Sequence, residues 1–308
     1  MSYADVTILD YRPGESPDLD DSLAHLAYEV VTGWPDQRPI SAGLVRSRLQ
    51  APDSAPPTIL ALRRTHRGLL VGAAALRHPD GLGSRGRLWG PVVHPDHQYR
   101  GIGRTLFAAL PTGILCTSAE IPATRARGTE FYASAGWRAG EPHQLLKRDL
   151  PPPSSVIRMP ATIGPHDGRD LTTELARLYA QNRPRHSPAT AAGTFTRWTR
   201  DERFAPRHLW MATQAGRLLG AALVYPLEHT APNEPREALL ADLLVQAAAE
   251  IGADEIRLAL SSAALNSAYL VGAQVARCVA DTCMDPHGVL QKRLGFAIVD
   301  NLLMYLSP

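Results

Sequence analysis

The 308-residue sequence has few cysteines, no dominant charge and no long apolar run. Its three cysteines, Cys116, Cys278 and Cys283, are too few for a disulfide framework and fit no four-ligand zinc site, so no metal is expected. Lys and Arg (32) nearly balance Asp and Glu (30), so no overall field favours nucleic acid or a membrane surface. No apolar run approaches the roughly 18 residues of a membrane-spanning helix.

The first residues, MSYADVTILDYRPG, contain no basic region followed by an apolar one, so we expect no signal peptide and a cytoplasmic location. What the sequence does contain is 26 prolines and 24 glycines, which indicate many short elements. With 44% hydrophobic residues, the chain can fill one large core or two domains of about 150 residues.

A proline- and serine-rich stretch, LPPPSSVIRMP, divides the sequence near its midpoint. Three consecutive prolines continue neither a helix nor an inner strand. The sequence therefore predicts a first domain at 1–149, a linker at 150–157 and a second domain at 158–308.

The two halves resemble each other in the order of their patterns. Residues 59–81 and 209–226 each contain two apolar runs around a polar turn, which predicts an antiparallel hairpin. An amphipathic helical segment precedes each hairpin, at 18–31 and 169–183. We infer that one α+β unit has been duplicated.

Both halves also close in the same way. In FYASAGW (131–137) and LQKRLGF (290–296), a helix is predicted to stop at a glycine, and the aromatic that follows opens a strand. The separation between matching glycines grows from the hairpin to this point, which indicates an insertion in the second half at 278–291.

A glycine-containing loop in the first half is the strongest candidate for binding chemistry. The β-prone run RLWGPVVHP (87–95) leads into QYRGIG and then into an amphipathic helix. Such a helix start gathers unpaired N–H groups, Gly101 and Gly103 admit close approach, and Arg100 and Arg104 add positive charge. The pattern predicts an anion site, and the glycines by themselves are equally typical of an ordinary helix start.

In context, this pattern resembles the GNAT acyltransferase superfamily over most of residues 4–149. The matching residues are Val93, Pro95, Gln98, Gly101, Gly103, Phe131, Tyr132, Gly136 and Trp137. The resemblance implies an α+β fold of two tandem GNAT-like units, each a mixed, mostly antiparallel twisted sheet flanked by helices. It also implies acetyl-CoA as co-substrate.

The resemblance implies a set of residues for acetyl-CoA. The backbone of Val92 and Val93 is expected to receive the pantetheine arm and the thioester. The loop expected to hold the diphosphate comprises Gln98, Tyr99, Arg100, Gly101, Ile102, Gly103, Arg104 and Thr105.

The second half is predicted to lack this site. After its hairpin, residues 228–244 contain no glycine pair, and we expect Glu234 and Glu237 near a helix start, where they would repel a diphosphate. Gln291 stands where the first half has Tyr132, and an amide cannot protonate a thiolate.

The resemblance assigns Tyr132 to protonate the leaving thiolate, and an oxyanion donor is expected from the backbone near Val93. The general base stays open between Glu120, His94, the more distant His78 and a water relay, because the strand RLWGPVV has no carboxylate. Cys116 lies in an apolar run without a histidine partner, so we do not expect a covalent acyl-enzyme.

The acceptor is expected beside the first helix and the loop after it. Glu29 and Trp34, with Asp36 and Gln37, either form an acidic and aromatic wall for a cationic amine or are a solvated loop around a core tryptophan. The sequence thus predicts an N-acetyltransferase for a small-molecule amine, with neither nucleic acid nor membrane as partner, acting as a monomer with an internal pseudo-dimer or as a homodimer. The alternatives are another acyl-CoA, a peptide N-terminus, or a non-catalytic CoA-binding sensor or scaffold.

Overall fold

A computed structural model describes residues 6–31, 40–49, 58–63, 68–77, 87–111, 118–153, 160–182, 198–199, 203–227, 235–246 and 252–307. Its contacts divide the chain into two compact units, one formed by 1–140 with 303–308 and the other by 141–302. The sequence-predicted residues Trp34, Asp36, Gln37, His78 and Cys116 lie outside the described residues.

The described elements of the first unit follow the order that the sequence predicts. They are β1 (Val6–Tyr11), α1 (Pro17–Val31), α2 (Ala42–Leu49), β2 (Thr58–Arg63), β3 (Leu70–Arg77), β4 (Arg87–Val93), α3 (Ile102–Ala108), β5 (Ser118–Pro122), α4 (Ala126–Ser134) and β6 (Arg138–Ala139). A short 3₁₀ turn, Pro95–His97, connects β4 to the loop before α3.

In this unit the strands run in the order β1-β2-β3-β4-β5. All neighbours are antiparallel except β4 and β5, and the predicted hairpin is β2–β3. Helix α1 packs on one face, where Leu23 and Leu26 share a core cluster with Val92. Helix α3 packs on the other face, where Ile102 and Leu106 cluster with Val93. Adjacent residues of β4 therefore face opposite layers.

The second unit repeats this arrangement. Its described elements are β7 (His143–Asp149), β8 (Thr162–Pro165), α5 (Thr172–Asn182), β9 (Leu209–Gln214), β10 (Arg217–Pro226), β11 (Glu237–Val245), α6 (Ala253–Leu270), β12 (Val275–Ala280), α7 (Val289–Lys292) and β13 (Ala297–Leu306, the last residues of which belong to the first unit). The strand order is β8-β9-β10-β11-β12-β7-β13, and β11–β12 is the parallel pair. Both units thus have the predicted mixed, mostly antiparallel sheet flanked by helices.

The same close approach of helix to strand occurs in both units. A Cβ at Gly72 of β3 would lie 2.9 Å from Leu106 Cδ1 and 3.1 Å from Ile102 Cγ2. A Cβ at Gly220 of β10 would lie 2.8 Å from Leu260 Cδ1 and 3.3 Å from Ile256 Cγ2, both in α6. The shared glycine and the shared pair of branched residues on the helix support the inferred duplication.

Alanine at either glycine is expected to destabilise the protein. Gly72→Ala or Gly220→Ala forces a methyl group into a packed contact, which costs about 1–3 kcal/mol. The midpoint of urea unfolding should fall for each variant, whereas Gly164→Ala, with no atom within 4 Å of the added Cβ, serves as the matched control. Unchanged midpoints for all three variants would contradict the close approach.

The units divide the chain differently from the linear boundary predicted at 149. Strand β7 lies in the second unit because it pairs with β12 and with the beginning of β13. The chain's last residues lie in the first unit because Tyr305 and Leu306 pair with Ala139 and Arg138 of β6. Part of the predicted linker lies outside the described residues.

One prediction for the second half is wrong in its local structure. Glu237 begins a strand, β11, and is paired there with Arg277 of β12, so it does not stand at a helix start. Glu234 lies outside the described residues. The helix that corresponds to α3 begins only at Ala253. The residues of EALLADLL are good helix formers, but the adjacent Leu243 and Leu244 are both buried in different core clusters, so the run forms a strand that is buried on both faces.

Among the described residues, no helix combines the length and apolarity required to cross a bilayer.

Candidate functional site

Strand β4 has an irregular, partly open edge. Ala73 is opposite Val92 and Ala75 is opposite Trp89, so β4 has one extra residue, a bulge, at Gly90–Pro91. On its other side β4 pairs with β5 at Arg87 and Ser118, and among the described residues this register does not continue along β4. The later part of β4 therefore presents backbone groups that β5 does not use.

The N–H of Val93 lies on this open edge. The next amide, that of His94, donates to the Val71 oxygen of β3 at 3.0 Å, and successive amides in a strand point to opposite sides. The side-chain amide of Gln98 donates to the Val93 oxygen at 3.2 Å. Gln98, predicted as a cofactor residue, thereby ties the loop to the strand edge and leaves the Val93 N–H available.

The glycine loop has a defined backbone geometry. Gly101 precedes α3 in the left-handed conformation, with φ at 77°, which a side chain would strain. Its carbonyl accepts bonds from the Thr105 N–H at 3.0 Å and from the Thr105 hydroxyl at 3.3 Å. A Cβ at Gly103 would meet its nearest neighbours only at 3.7–3.8 Å, so the fold itself leaves room for a side chain there.

An exposed aromatic residue also lies in this loop. Tyr99 is 73% exposed and has φ at 60°, an uncommon conformation for a residue with a side chain. The guanidinium carbon of Arg127, in the first turn of α4, lies 4.5 Å from the centre of its ring. The sequence did not single out Arg127, because nothing local connects the beginning of α4 with a loop more than 20 residues earlier.

Tyr132 is buried against the bulge of β4. It is 3% exposed, and its hydroxyl donates to the carbonyl oxygen of Gly90. Burial raises the pKa of Tyr132, so the phenol stays protonated through the neutral range. The ring stacks on Tyr305 with centres 5.5 Å apart and planes 21° apart, and it contacts Trp137 at 5.0 Å. Sequence reasoning missed Tyr305, which lies at the far end of the chain.

The structure brings together two residues that the sequence predicted for different roles. Glu29 of α1 and His94 after β4 meet with His94 Nε2 3.3 Å from Glu29 Oε2. The other Glu29 oxygen lies 3.3 Å from Nε2 of His25, one helical turn earlier. His94 Nδ1 accepts the N–H of Asp96 at 3.3 Å, so the neutral ring carries its proton on the nitrogen that faces Glu29.

Glu120, the other candidate base, lies in β5 two residues after the one that pairs with β4, and its side chain is half-buried. Its role as a base stays a prediction. Within the described part of the chain, no cluster of His, Cys, Asp and Glu has the composition of a metal site.

The second unit caps the backbone donor that corresponds to the Val93 N–H. Val245 of β11 corresponds to Val93, since the next amide, that of Gln246, donates to Leu219 of β10 at 2.8 Å. The Val245 N–H donates to Asn182 Oδ1 of α5 at 3.2 Å. No side chain of the described residues does this for Val93.

The helix start that corresponds to the glycine loop is acidic. Helix α6 follows Gly252, with Asp254 and Glu255 in its first turn. Asp254 is bonded to Arg257 at 3.0 Å and lies 2.9 Å from His287 Nδ1. Acidic residues therefore stand at the helix start as expected, although they are not the ones named from the sequence.

The counterpart of Tyr132 also has different chemistry. Gly136 and Gly295 follow α4 and α7 with φ at 81° and 71°, as predicted for both helix ends. Gln291, at the place of Tyr132, donates its amide to Gln144 at 2.5 Å.

No family model and no curated protein matches this sequence. Solved structures do match over nearly the whole chain. A tandem GNAT protein from the clavulanic acid biosynthesis pathway superposes with a TM-score of 0.72 at 17% identity, covering 98% of each chain. A GCN5-related N-acetyltransferase from Sphaerobacter thermophilus has a TM-score of 0.69 at 17% identity, covering 97% of this chain and 95% of its own.

A more distant similarity links the fold to a different acyl group. Saccharomyces cerevisiae N-myristoyltransferase with bound myristoyl-CoA superposes with a TM-score of 0.66 at 12% identity, covering 99% of this chain and 79% of its own. These identities support the fold alone, and the fold is that of tandem GNAT proteins.

Proposed function

We propose that the chain is an acetyl-CoA-dependent N-acetyltransferase that acts on the primary amine of a small molecule. The observation that carries the proposal is the contrast between the two units. No side chain of the described residues caps the Val93 N–H, which lies on a strand edge beside a glycine loop, whereas the Val245 N–H is capped by Asn182 beside an acidic helix start. The second unit caps a backbone donor that remains a candidate hydrogen-bond donor in the first.

The residues of the first unit fit acetyl-CoA, which supplies an activated acetyl group when it is bound. The backbone of residues 98–105 would hold the diphosphate, with Arg100 and Arg104 contributing charge. Gly103 leaves room where a phosphate needs close backbone approach. The Val93 N–H would donate to the acetyl oxygen and stabilise negative charge as it develops there.

Transfer by direct attack in a ternary complex suits the two faces of β4. The glycine loop lies with α3 on the face of Val93, and Glu29 lies with α1 on the face of Val92 and His94. Two substrates that enter from opposite faces would meet at the open edge. Binding there would restrict their translation and rotation before the chemical step, which lowers the entropic part of the barrier.

Tyr132 would deliver a proton to the departing sulfur, since its phenol lies at the bulge of β4 and stays protonated. Tyr132→Phe keeps the ring stack on Tyr305 and removes the hydroxyl. We expect kcat to fall about 10²–10⁴-fold, the usual range for a general acid, with acetyl-CoA affinity unchanged. Steady-state kinetics together with calorimetric titration of acetyl-CoA measures both, and an unchanged kcat would remove Tyr132 from proton delivery.

The proposal is tested by incubating the protein with acetyl-CoA and a library of primary amines while free thiol is detected. Amine-dependent thiol release, with the N-acetyl product seen by mass spectrometry, is the expected result. Competition by longer acyl-CoAs distinguishes acetyl transfer from transfer of another acyl group, and a peptide with a free N-terminus tests the peptide alternative. Acetyl-CoA binding without transfer to any acceptor would favour a CoA-binding sensor.

A further inference from the structure

The pair formed by Glu29 and His94 has a counterpart in the second unit that is made of neutral residues. Helix α1 buries Leu23, Ala24 and Leu26, and α5 buries Leu175, Ala176 and Leu178 at the same spacing. This register places Gln181 at the position of Glu29.

The residues that follow β4 and β11 can be compared in the same way. His94 and Gln246 make the same backbone bond to the neighbouring strand, so Gln246 stands at the position of His94. The packing residues of the duplicated unit were kept, while the carboxylate–imidazole pair occurs only in the unit with the open edge and the glycine loop. A role in folding would apply equally to both units, so this pair is tied to what distinguishes the first.

The pair also lies close to the edge. His94 directly follows Val93 in the chain, and its ring holds one Glu29 oxygen at 3.3 Å. Nε2 of His25 lies 3.3 Å from the other oxygen, so each carboxylate oxygen has an imidazole nitrogen beside it on the face opposite the glycine loop. Glu29 is 36% exposed, which leaves it accessible to a ligand from solvent.

We propose that Glu29 binds the ammonium group of the acceptor and receives its proton, and that His94 and His25 are positioning residues for this carboxylate. The inference rests on the proposed acetyl transfer and assigns its acceptor to the class of cationic primary amines. We assign the base to Glu29 rather than to His94, because one ring nitrogen of His94 accepts a backbone N–H and the other faces the carboxylate.

The step balances in atoms and electrons. The ammonium nitrogen gives one proton to the Glu29 carboxylate, and its lone pair forms the new C–N bond to the acetyl carbon. The C–S bond breaks with its electron pair on sulfur, which takes the hydroxyl proton of Tyr132, and the second nitrogen proton then replaces it on Tyr132. Glu29 then returns its proton to solvent.

The second unit supplies the substitutions for the test, Glu29→Gln and His94→Gln, since glutamine stands at both positions there without loss of the fold. The probes are phenylethylamine, spermidine and glucosamine, and exposed Glu174→Gln on α5 is the charge-matched control. We expect Glu29→Gln to lower kcat/KM for the amine at least about 100-fold, with acetyl-CoA affinity and melting temperature unchanged.

The positioning role predicts more than a loss of rate. His94→Gln should lower kcat/KM about tenfold, and the double variant should be no slower than Glu29→Gln alone, because His94 acts through the carboxylate. The acidic limb of the pH profile should persist in Glu174→Gln and vanish in Glu29→Gln. The titrating groups that face Glu29 are His25 and His94, with His97 in edge contact with His94 at 5.6 Å.

Each other outcome overturns the inference. Glu29→Gln with more than half of the wild-type kcat/KM, or additive losses in the double variant, would remove the assigned roles. Acetyl transfer to none of the three amines by a protein that binds acetyl-CoA would remove the acceptor class. Failure of the wild-type protein to bind acetyl-CoA is the distinct result that overturns the proposed function itself.

Discussion

Gly103→Glu is expected to abolish the acetyl-CoA-dependent rise in melting temperature without unfolding the protein. The Cβ of the new residue meets no clash, since it would lie 3.7–3.8 Å from its nearest neighbours. A diphosphate brought against the loop would then face a fixed negative charge. At about 4 Å and an effective dielectric constant near 20, that repulsion is about 4 kcal/mol, so we expect binding to weaken at least about 100-fold.

The measurement is a thermal shift titration with acetyl-CoA, because a ligand that binds only the native state stabilises it in proportion to its occupancy. Gly164→Glu in β8 of the second unit adds the same charge where a Cβ meets no atom within 4 Å, and it should keep the full thermal shift. Gly101→Glu should also lose the shift, with an additional cost of about 1–3 kcal/mol in stability from its left-handed backbone. If Gly103→Glu bound acetyl-CoA like the wild type, the diphosphate cradle would have to be elsewhere.

Tyr305→Ala is expected to destabilise the first unit although it lies at the other end of the sequence. Tyr305 is 6% exposed and stacks on Tyr132, and the residue before it accepts the Gly140 N–H at 2.6 Å. Removing a buried aromatic ring costs about 3–5 kcal/mol, a large part of the roughly 5–15 kcal/mol that keeps a domain folded. The free energy of unfolding of this unit should fall by that amount.

Hydrogen exchange resolved by peptide separates the two units in this experiment. Exchange should accelerate in α4 and β4 of Tyr305→Ala and stay unchanged in α6, which belongs to the second unit. Tyr269→Ala, with its ring 43% exposed, is the matched control and should change neither. Deletion of residues 303–308 should abolish acetyl-CoA binding even though residues 92–105 and Tyr132 are intact. Normal binding by that deletion would show that the first unit needs no part of the C-terminal strand.

The sequence predicted the elements that depend on local patterns. The two hairpins, the helices before them and the helix ends at Gly136 and Gly295 are confirmed, since each is encoded by alternation, helical spacing or a residue that tolerates positive φ. The prediction of a helix start near Glu237 was wrong, because the apolar run of β11 has no regular alternation of polar residues. Such a run is compatible with a buried strand and with a helix, and neighbours in space decide between them.

The candidate site likewise contains residues that the sequence could single out and contacts that only the structure shows. The sequence could single out Gln98, Gly101 and Gly103 as candidates because a loop and the helix that follows it are contiguous in the chain, and their role in binding stays a prediction. The pairing of Glu29 with His94, the cation over Tyr99 and the capping of Val245 by Asn182 join residues from separate elements. Only a folded chain assigns these partners.

The sequence by itself determined the duplicated α+β architecture and predicted one glycine loop as an anion site, because both inferences rest on periodicity and on residues next to one another. The tertiary structure alone decided that the last six residues belong to the first unit, that Tyr132 rests on Tyr305, and that one strand edge is open and its counterpart capped. Strand pairing and side-chain burial bring together residues that are distant in the sequence. No pattern within a short stretch of sequence specifies which distant residue a side chain will contact.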